Sequence, residues 1–318
     1  MHKTIIEPTE HSKIKNHNNS IHVALLYGGM SSEREVSLMS YKAQTQALLD
    51  LGYKVTSIDM GIDIALHLDK LKPDVVFNGL YGTYAEDGCL PGLLEIMGIK
   101  YTHSGVLPSA VGFDKKIANI IFNAYGIKTA PALYIKRTQN LISDPMPRPY
   151  VIKPINQGSS IGVIVVFKED NFNFADYQWE YGDEILVEEY IPGKEIFVAV
   201  VNGKALGFIE AQTKNRFHDY DSKYKDGINQ YVFPELSKEE ANYILQSSEE
   251  IFQLLKCRGA VRLDFRFNTT LKDKGFFLLE INTHPGMTPN SSFPKICAKA
   301  GIEFKELLDL LIKDALRD

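Results

Sequence analysis

Two neighbouring apolar runs near the end of the chain constrain its fold more than any other stretch. Residues 260–267 read AVRLDFRF and residues 276–282 read FFLLEIN, with the polar, glycine-ending segment NTTLKDKG between them. Each run has the length of a strand, and the segment between them has the composition of a turn. We therefore predict an antiparallel hairpin.

Strict alternation assigns each side chain of this hairpin to a face, because successive side chains of a strand point to opposite sides. The predicted apolar face carries Val261, Leu263, Phe265, Phe267, Phe277, Leu279 and Ile281. The opposite face brings together Asp264, Glu280 and Asn282, with Arg262 beside them. Two carboxylates and an amide oxygen suit a hard divalent cation. An ordinary solvated polar face is the alternative, and the hairpin alone does not distinguish the two.

Charge and cysteine content exclude several classes of protein. The 318 residues suffice for two or three domains, and a net charge of -5 argues against a nucleic-acid binder. Cys89, Cys257 and Cys297 are widely spaced, which fits a reducing cytoplasm better than a disulfide framework or a zinc site. No apolar run approaches the roughly 18 residues that span a membrane. Residues 1–20 are too polar for a signal peptide, and we expect a disordered leader.

The N-terminal part alternates strands with helical stretches. Apolar runs at 21–27, 53–59 and 74–78 predict a small doubly wound parallel sheet. Gly28 and Gly29 follow the first run, and the spacing of SERE at 32–35 predicts a capping box that opens a helix. Free amides at such a helix start bind anions or other ligands. A dinucleotide site is disfavoured, because GGMSSE is not G-x-G-x-x-G.

Four acidic residues of this part have open roles. Glu35 suits the helix cap, whereas Glu33, at the mouth of the glycine turn, is the better candidate for a cationic ligand group. Glu86 and Asp87 follow the third strand, where open α/β sheets bind ligands. They could equally cap the helix predicted at 91–97.

The central part carries a glycine-rich loop. Strand 150–154 contains Lys153, and NQGSSIG at 156–162 leads to a returning strand at 163–167. Small residues let backbone amides approach phosphate oxygens, and a lysine can add a point charge. A Walker motif is absent. The later acids Glu188, Glu189 and Glu195 could bind a nucleotide or simply protect an edge strand.

The last third contains a long polar segment and two predicted helices. Residues 213–231 are polar and aromatic without periodicity, which favours a lid that closes over a polyanion. Helices are predicted at 238–255 and from Phe304 onwards.

Taken together, these motifs resemble the D-alanine–D-alanine ligases of the ATP-grasp superfamily, from about residue 21 to the C-terminus. The resemblance rests on GGMSSEREVS from Gly28, EDG from Glu86, KP from Lys153 with GSSIG from Gly158, YDSKY from Tyr220, RLD from Arg262 and EINTHPGM from Glu280. It implies an α/β (α+β) chain with an ATP-grasp fold after the small parallel-sheet domain. The implied units are a leader at 1–20, an N-terminal substrate domain at 21–113, a central subdomain at 114–205 and a C-terminal subdomain at 206–318.

The activity that the resemblance implies is ATP-dependent formation of D-alanyl-D-alanine through a D-alanyl phosphate, for peptidoglycan precursors. A cytoplasmic homodimer without nucleic-acid or membrane partners is implied as well. The alternatives are a ligase that takes D-lactate or D-serine second, and an inactive nucleotide-binding relative. Tyr224, retained in the lid motif, favours D-alanine.

The resemblance also carries residue roles. Glu33, held by hydrogen bonds with Ser159 and Tyr224, would bind the first D-alanine's ammonium group, and Arg262 with the Gly286 amide would stabilise the oxyanion. The second D-alanine would contact Tyr81, Arg262, Gly286, Ser291 and Ser292. ATP would contact Lys115, Lys153, Ser160, Glu188, Glu189, Tyr190, Ile191, Glu195 and Lys223. Two magnesium ions, or manganese in their place, would bind Asp264, Glu280 and Asn282.

Four positions depart from the family pattern. Tyr81 stands where histidine is usual, Ala85 where glycine is usual, Gln157 where glutamate is usual and Ser292 where leucine is usual. Tyrosine can hydrogen-bond but does not titrate near neutral pH. We therefore expect activity, with second-substrate binding as the property most open to change.

Overall fold

The fold is built on three sheets, seen in a computed structural model that describes residues 18–213 and 229–317. The first is parallel, with strand order β2-β1-β3-β4. Helices alternate with its strands, as predicted from the apolar runs. Its elements are β1 (His22–Tyr27), α1 (Arg34–Asp50), β2 (Lys54–Asp59), α2 (Ile64–Leu71), β3 (Val75–Asn78), α3 (Cys89–Met97), β4 (Lys100–Tyr101) and α4 (Val106–Phe113).

The second sheet is antiparallel, with strand order β5-β8-β6-β7. The glycine-rich loop joins β6 to β7, which confirms the predicted hairpin. The elements are α5 (Lys115–Ala124), β5 (Ala132–Lys136), β6 (Tyr150–Pro154), β7 (Ile164–Val166) and β8 (Glu184–Glu189), with short 3-10 helices at Arg137–Gln139 and Phe174–Asp176.

The third sheet has five strands in the order β11-β10-β9-β12-β13, and every pairing in it is antiparallel. The β12–β13 pair is the predicted hairpin, and both predicted helices are present. The elements are β9 (Lys194–Val201), β10 (Lys204–Thr213), β11 (Asn229–Val232), α6 (Lys238–Leu254), β12 (Ala260–Phe267), β13 (Phe276–Asn282), α7 (Ser292–Lys299) and α8 (Phe304–Arg317), with a 3-10 helix at Thr269–Gly275.

One apolar core joins the first sheet to the third. Leu25 and Phe77 of the parallel sheet pack in the same cluster as Phe197 of β9, Phe293 of α7 and Leu311 of α8. All five side chains are buried. The loops at the ends of these two sheets are therefore held close together, and the cleft described below lies there. Within the described ranges, no helix combines the length and apolarity needed to cross a membrane.

A bulge in the β12–β13 hairpin corrects the predicted faces. Asp264 lies opposite Glu280 but Phe265 lies opposite Leu278, so that Leu279 is an extra residue. An extra residue shifts the alternation by one, and the assignment of Leu279 to the face of Ile281 is wrong. Leu279 instead lines a cavity on the polar side.

The same shift changes the faces before the bulge. Phe276 and Leu278 pack in the core with Phe265, whereas Phe277 packs apart from it, against Ile191. The predicted apolar face is thus wrong for Phe277 as well, while its four members in β12 are confirmed.

Three smaller predictions also need correction. Helix α1 begins at Arg34 without a capping-box bond, and the Ser31 hydroxyl accepts the Glu33 amide instead, at 3.1 Å. Tyr231 belongs to β11, paired with Ala211, and not to a loop. Residues 1–17 of the predicted leader lie outside the described residues, but Asn18 is buried and donates to the Leu51 carbonyl at 3.1 Å.

Candidate active site

Two adjoining cavities lie where the three sheets meet. The large cavity, about 690 Å³, lies between the loops of the parallel sheet, the ends of β12 and β13, and the start of α7. The small cavity lies between the antiparallel β6–β8 sheet and the same hairpin. Lys115, Gln157 and Glu280 line both cavities, so the two form one cleft. A volume of this size suits small ligands.

Glu33 lies in the large cavity at the start of α1. Its side chain is buried, and the Ser159 hydroxyl of the glycine-rich loop donates a hydrogen bond to its carboxylate. A Cβ atom on Gly158 would lie 2.5 Å from Glu33 Oε1, and one on Gly82 would lie 2.8 Å from it. The lack of side chains at these two glycines therefore leaves room for the carboxylate. The N-terminal part, which carries Glu33, and the glycine-rich loop, which carries Ser159, meet at this carboxylate.

The structure separates the roles of Glu86 and Asp87. The Asp87 carboxylate accepts the amides of Tyr84 at 2.9 Å and Cys89 at 3.0 Å, which makes it the local cap. Glu86 lines the large cavity instead. Burial raises the pKa of Glu86 well above its usual value, and the charge of Glu33 raises it further. Sequence reasoning left this residue between the two roles.

Arg262 and Asp264 form a buried, two-pronged ion pair on β12. Arg262 Nε lies 2.6 Å from Asp264 Oδ1 and Nη2 lies 2.7 Å from Oδ2. The guanidinium stacks over the Phe197 ring at 4.8 Å. Burial lowers the pKa of Arg262, but Asp264 and Glu280 more than offset this, and it stays charged. No acceptor among the described residues binds its Nη1, which leaves one amino group for a ligand.

The predicted metal ligands lie together. Asp264 is paired across the hairpin with Glu280, and Arg262 with Asn282. Among residues 18–213 and 229–317, no three His, Cys, Asp or Glu side chains are grouped to hold a metal by themselves. Two carboxylates and an amide oxygen still fit a hard divalent cation whose remaining ligands are phosphate oxygens. A cation at Asp264 would share that carboxylate with Arg262.

The small cavity contains a buried ion pair between Lys153 and Glu188, with Nζ and Oε1 2.5 Å apart. Burial lowers the pKa of Lys153, but the charge and hydrogen bond of Glu188, together with the charges of Glu280 and Glu195, outweigh it and the net shift is upward. Lys115 Nζ donates to the Gln157 carbonyl at 2.5 Å. Eight of the predicted nucleotide residues line this cavity: Lys115, Lys153, Ser160, Glu188, Glu189, Tyr190, Ile191 and Glu195.

Arg266 is a cavity residue that sequence reasoning missed. Its Nε donates to the Ile191 carbonyl at 2.9 Å, and Nη2 to the Tyr190 hydroxyl at 3.2 Å. Its Nη1 lies 3.7 Å from Glu195. Arg266 thus holds three predicted nucleotide residues in place. Strand alternation put it on the same face as Asp264, which was the available signal.

Tyr81 is engaged with the loop after β13. It is buried, and its hydroxyl accepts the Met287 amide at 2.9 Å. Gln44 Nε2 donates to the Met287 carbonyl at 3.2 Å. Tyr81 and Gln44, both in the N-terminal part of the chain, therefore hold the amide and the carbonyl of Met287, the residue after Gly286. Ala85, another departure, is buried in the core without a left-handed backbone.

The start of α7 forms one wall of the large cavity, together with Gly286, Ser291 and Ser292. Tyr231 and Lys295, which sequence reasoning also missed, line the same wall. Burial raises the pKa of Tyr231, and the charge of Arg262 acts in the opposite direction. Tyr224 and Lys223, predicted for the lid, lie outside the described residues.

Comparisons with known proteins agree with this architecture. The family model described as the D-ala D-ala ligase C-terminus matches residues 123–313. A D-alanine–D-alanine ligase of Rickettsia africae is 51% identical over 319 residues, covering 99% of each chain. One of Rickettsia akari is 52% identical over 310 residues, covering 96% of each.

A solved structure gives the same result. The crystal structure of the D-alanine–D-alanine ligase of Bacillus anthracis complexed with ATP is 28% identical, with a TM-score of 0.78, and the match covers 93% of this chain and 98% of that one. The fold is thus that of the ATP-grasp ligases, as predicted. The chain belongs to the D-alanine–D-alanine ligase family.

Proposed function

We propose that this chain joins two D-alanines into D-alanyl-D-alanine and converts ATP to ADP and phosphate. The observation that carries the proposal is the adjoining of two cavities. One contains the Glu33–Ser159 pair and Arg262, and the other contains the Lys153–Glu188 pair. Such a cleft can hold an amino acid and a nucleotide with their reactive groups in contact.

In the first step, the carboxylate of one D-alanine attacks the γ-phosphorus of ATP, and ADP leaves. Glu33, held by the Ser159 hydroxyl, would bind the ammonium group, which orients the carboxylate towards the small cavity. Lys115 and Lys153 would contact the phosphates and offset their charge. The product is a D-alanyl phosphate, and exclusion of water from the cleft protects it from hydrolysis.

In the second step, the free amine of another D-alanine attacks the acyl carbon and forms a tetrahedral oxyanion. Arg262 Nη1 and the Gly286 amide would donate to this oxygen. Collapse of the oxyanion expels phosphate and leaves the peptide bond. The attacking nitrogen must lose its proton, and the carboxylate of Glu33, which lines the same cavity, is the proposed acceptor.

Asp264, Glu280 and Asn282 are proposed to hold magnesium, or manganese, with ATP. The cation would supply positive charge to the transferred phosphoryl group. The chain keeps the side-chain oxygens of the three proposed ligands close together, because Asp264 pairs with Glu280 and Arg262 with Asn282 across the hairpin.

The domain boundaries, the location, the oligomeric state and the biosynthetic role are also proposals. The predicted domains are retained, but we propose to place the last boundary before β9 instead of at residue 205, because β9 pairs with β10 and β12. The resemblance further supports a cytoplasmic homodimer that contributes to peptidoglycan precursors.

The direct test is phosphate release from ATP with magnesium, in the presence of D-alanine, L-alanine or D-alanine with excess D-lactate. We expect release in both reactions that contain D-alanine and none with L-alanine, and dipeptide as the product at neutral pH. Depsipeptide in the third reaction would contradict the proposed second substrate. ATP binding without D-alanine-dependent release, unchanged by Arg262→Ala, would identify an inactive relative instead.

A further inference from the structure

Lys295 extends into the large cavity from the same face of α7 as Ser291. Its backbone amide donates to the Ser291 carbonyl at 3.2 Å, one turn away. Side chains four residues apart on a helix are neighbours. Both line the large cavity, and Lys295 is half-buried there. Ser291 in turn bonds with Thr288, with the two hydroxyl oxygens 2.8 Å apart.

The ammonium group of Lys295 has an aromatic neighbour but no counter-ion within residues 18–213 and 229–317. It lies 5.1 Å from the centre of the Tyr231 ring, within the range of a cation–π contact. Among the described residues no carboxylate forms an ion pair with it. A half-buried cation that faces a cavity without a paired acid can bind an anionic ligand there.

The other charges of the large cavity limit where a second carboxylate can bind. Glu33, Glu86 and Glu280 all line it, and a ligand carboxylate is repelled near them. The Arg262 guanidinium is already paired with Asp264 through two of its nitrogens. Lys115 also lines the cavity, but where it joins the small cavity, and it donates to the Gln157 carbonyl at 2.5 Å. Lys295 is the cation on the wall formed by α7.

We propose that Lys295 binds the carboxylate of the second D-alanine, next to Ser291. This inference rests on the proposed function and adds a residue to it. The lysine would hold the incoming amino acid by its carboxylate, so that its amine is directed towards the acyl phosphate. Hydrogen bonds to charged partners are among the stronger ones in proteins.

The test compares Lys295→Gln, Lys295→Arg and the wild type as full-length proteins. We expect Lys295→Gln to raise the KM for the second D-alanine by roughly tenfold to a hundredfold. The KM values for ATP and the first D-alanine should change less than twofold, and Lys295→Arg should restore most of the affinity. Lys299→Gln is the matched control, because Lys299 is exposed one turn later on the same helix, over the Phe233 ring at 5.3 Å.

A second nucleophile separates this role from a structural one. Hydroxylamine can capture the D-alanyl phosphate as D-alanyl hydroxamate, and it carries no carboxylate. Its capture rate should therefore be the same in the wild type and in Lys295→Gln. Equal losses of hydroxamate and dipeptide would instead overturn the proposal, because they indicate general damage to the cavity.

The remaining outcomes are also decisive. An unchanged KM for the second D-alanine in Lys295→Gln, with dipeptide still formed, would overturn the role of Lys295 alone. A wild type that forms neither hydroxamate nor dipeptide would overturn the proposed function, and this inference with it. If Lys295→Gln does not fold, Lys295→Met, which keeps the aliphatic stem over Tyr231, is measured in its place.

Discussion

Tyr81 illustrates what a single residue can and cannot reveal from sequence. Its identity, a tyrosine in place of the usual histidine, indicated a hydrogen bond without titration near neutral pH. Its partner, the Met287 amide, lies 206 residues further along the chain, and no local pattern encodes that contact. The fold determines it, by bringing the loop after β3 against the loop after β13.

Replacing Tyr81 by phenylalanine should weaken the second step more than the first. The change leaves the Met287 amide without its acceptor, and an unpaired buried amide costs about 1–3 kcal/mol of the free energy of unfolding. The adjacent Gly286 loop should lose order, so kcat for dipeptide should fall while the KM for ATP is retained. Urea unfolding and steady-state kinetics measure these effects.

Tyr84→Phe is the control for that variant, since Tyr84 lies on the same loop and is 45% exposed. It should leave both the free energy of unfolding and kcat unchanged. Equal kcat for dipeptide in Tyr81→Phe and the wild type would show that the Met287 contact does not position the loop.

At the scale of elements, the β12–β13 hairpin was predictable in its existence and in its polar cluster. Alternation correctly placed Asp264, Glu280 and Asn282 together. It failed at Leu279, because a bulge adds one residue to one strand and leaves no marker in a run of four apolar residues. The error moved Phe277 and Leu279 to the wrong face and hid the apolar lining of the small cavity.

The ends of β4 and β13 meet through two histidines whose rings are in contact, tilted by 37°. His103 and His284 follow these strands, and their ring centres are 3.9 Å apart. Burial lowers the pKa of His103 to about 3. Burial lowers that of His284 well below its usual value, and the neighbouring His103 lowers it further. Both rings are therefore neutral in the folded protein.

The stability of the protein should consequently fall as the pH decreases. Below about 6.5 the unfolded chain binds protons that the folded histidines do not, so the free energy of unfolding decreases. The loss is at most about 1.4 kcal/mol per pH unit for each histidine. Urea unfolding at several pH values between 7.5 and 5.5 would measure the slope.

His103→Gln should make that slope shallower, because one of the two groups is removed. His67→Gln is the matched control, since His67 is exposed on α2 beside Asp63, and its slope should equal that of the wild type. If the free energy of unfolding depends on pH equally in His103→Gln and in the wild type, the account of the buried histidine pair is contradicted.

At the scale of the whole molecule, the cleft is assembled from all three sheets. Motifs that are close in sequence, such as GSSIG and RLD, could be recognised from the residues themselves. Tyr231 and Lys295 could not, because their position in the cleft follows from sheet order and helix placement and not from a local pattern. Arg266 had only its strand face as a signal, and its contacts with the loop after β8 follow from the fold.

The central claim is that carboxylate activation and peptide-bond formation occur in this one cleft. The most direct measurement uses D-alanine labelled with oxygen-18 in its carboxylate, with ATP and magnesium. The attacking oxygen should become part of the acyl phosphate and leave with the phosphate, so one labelled oxygen should appear in inorganic phosphate for each dipeptide formed. Dipeptide with unlabelled phosphate would contradict the account.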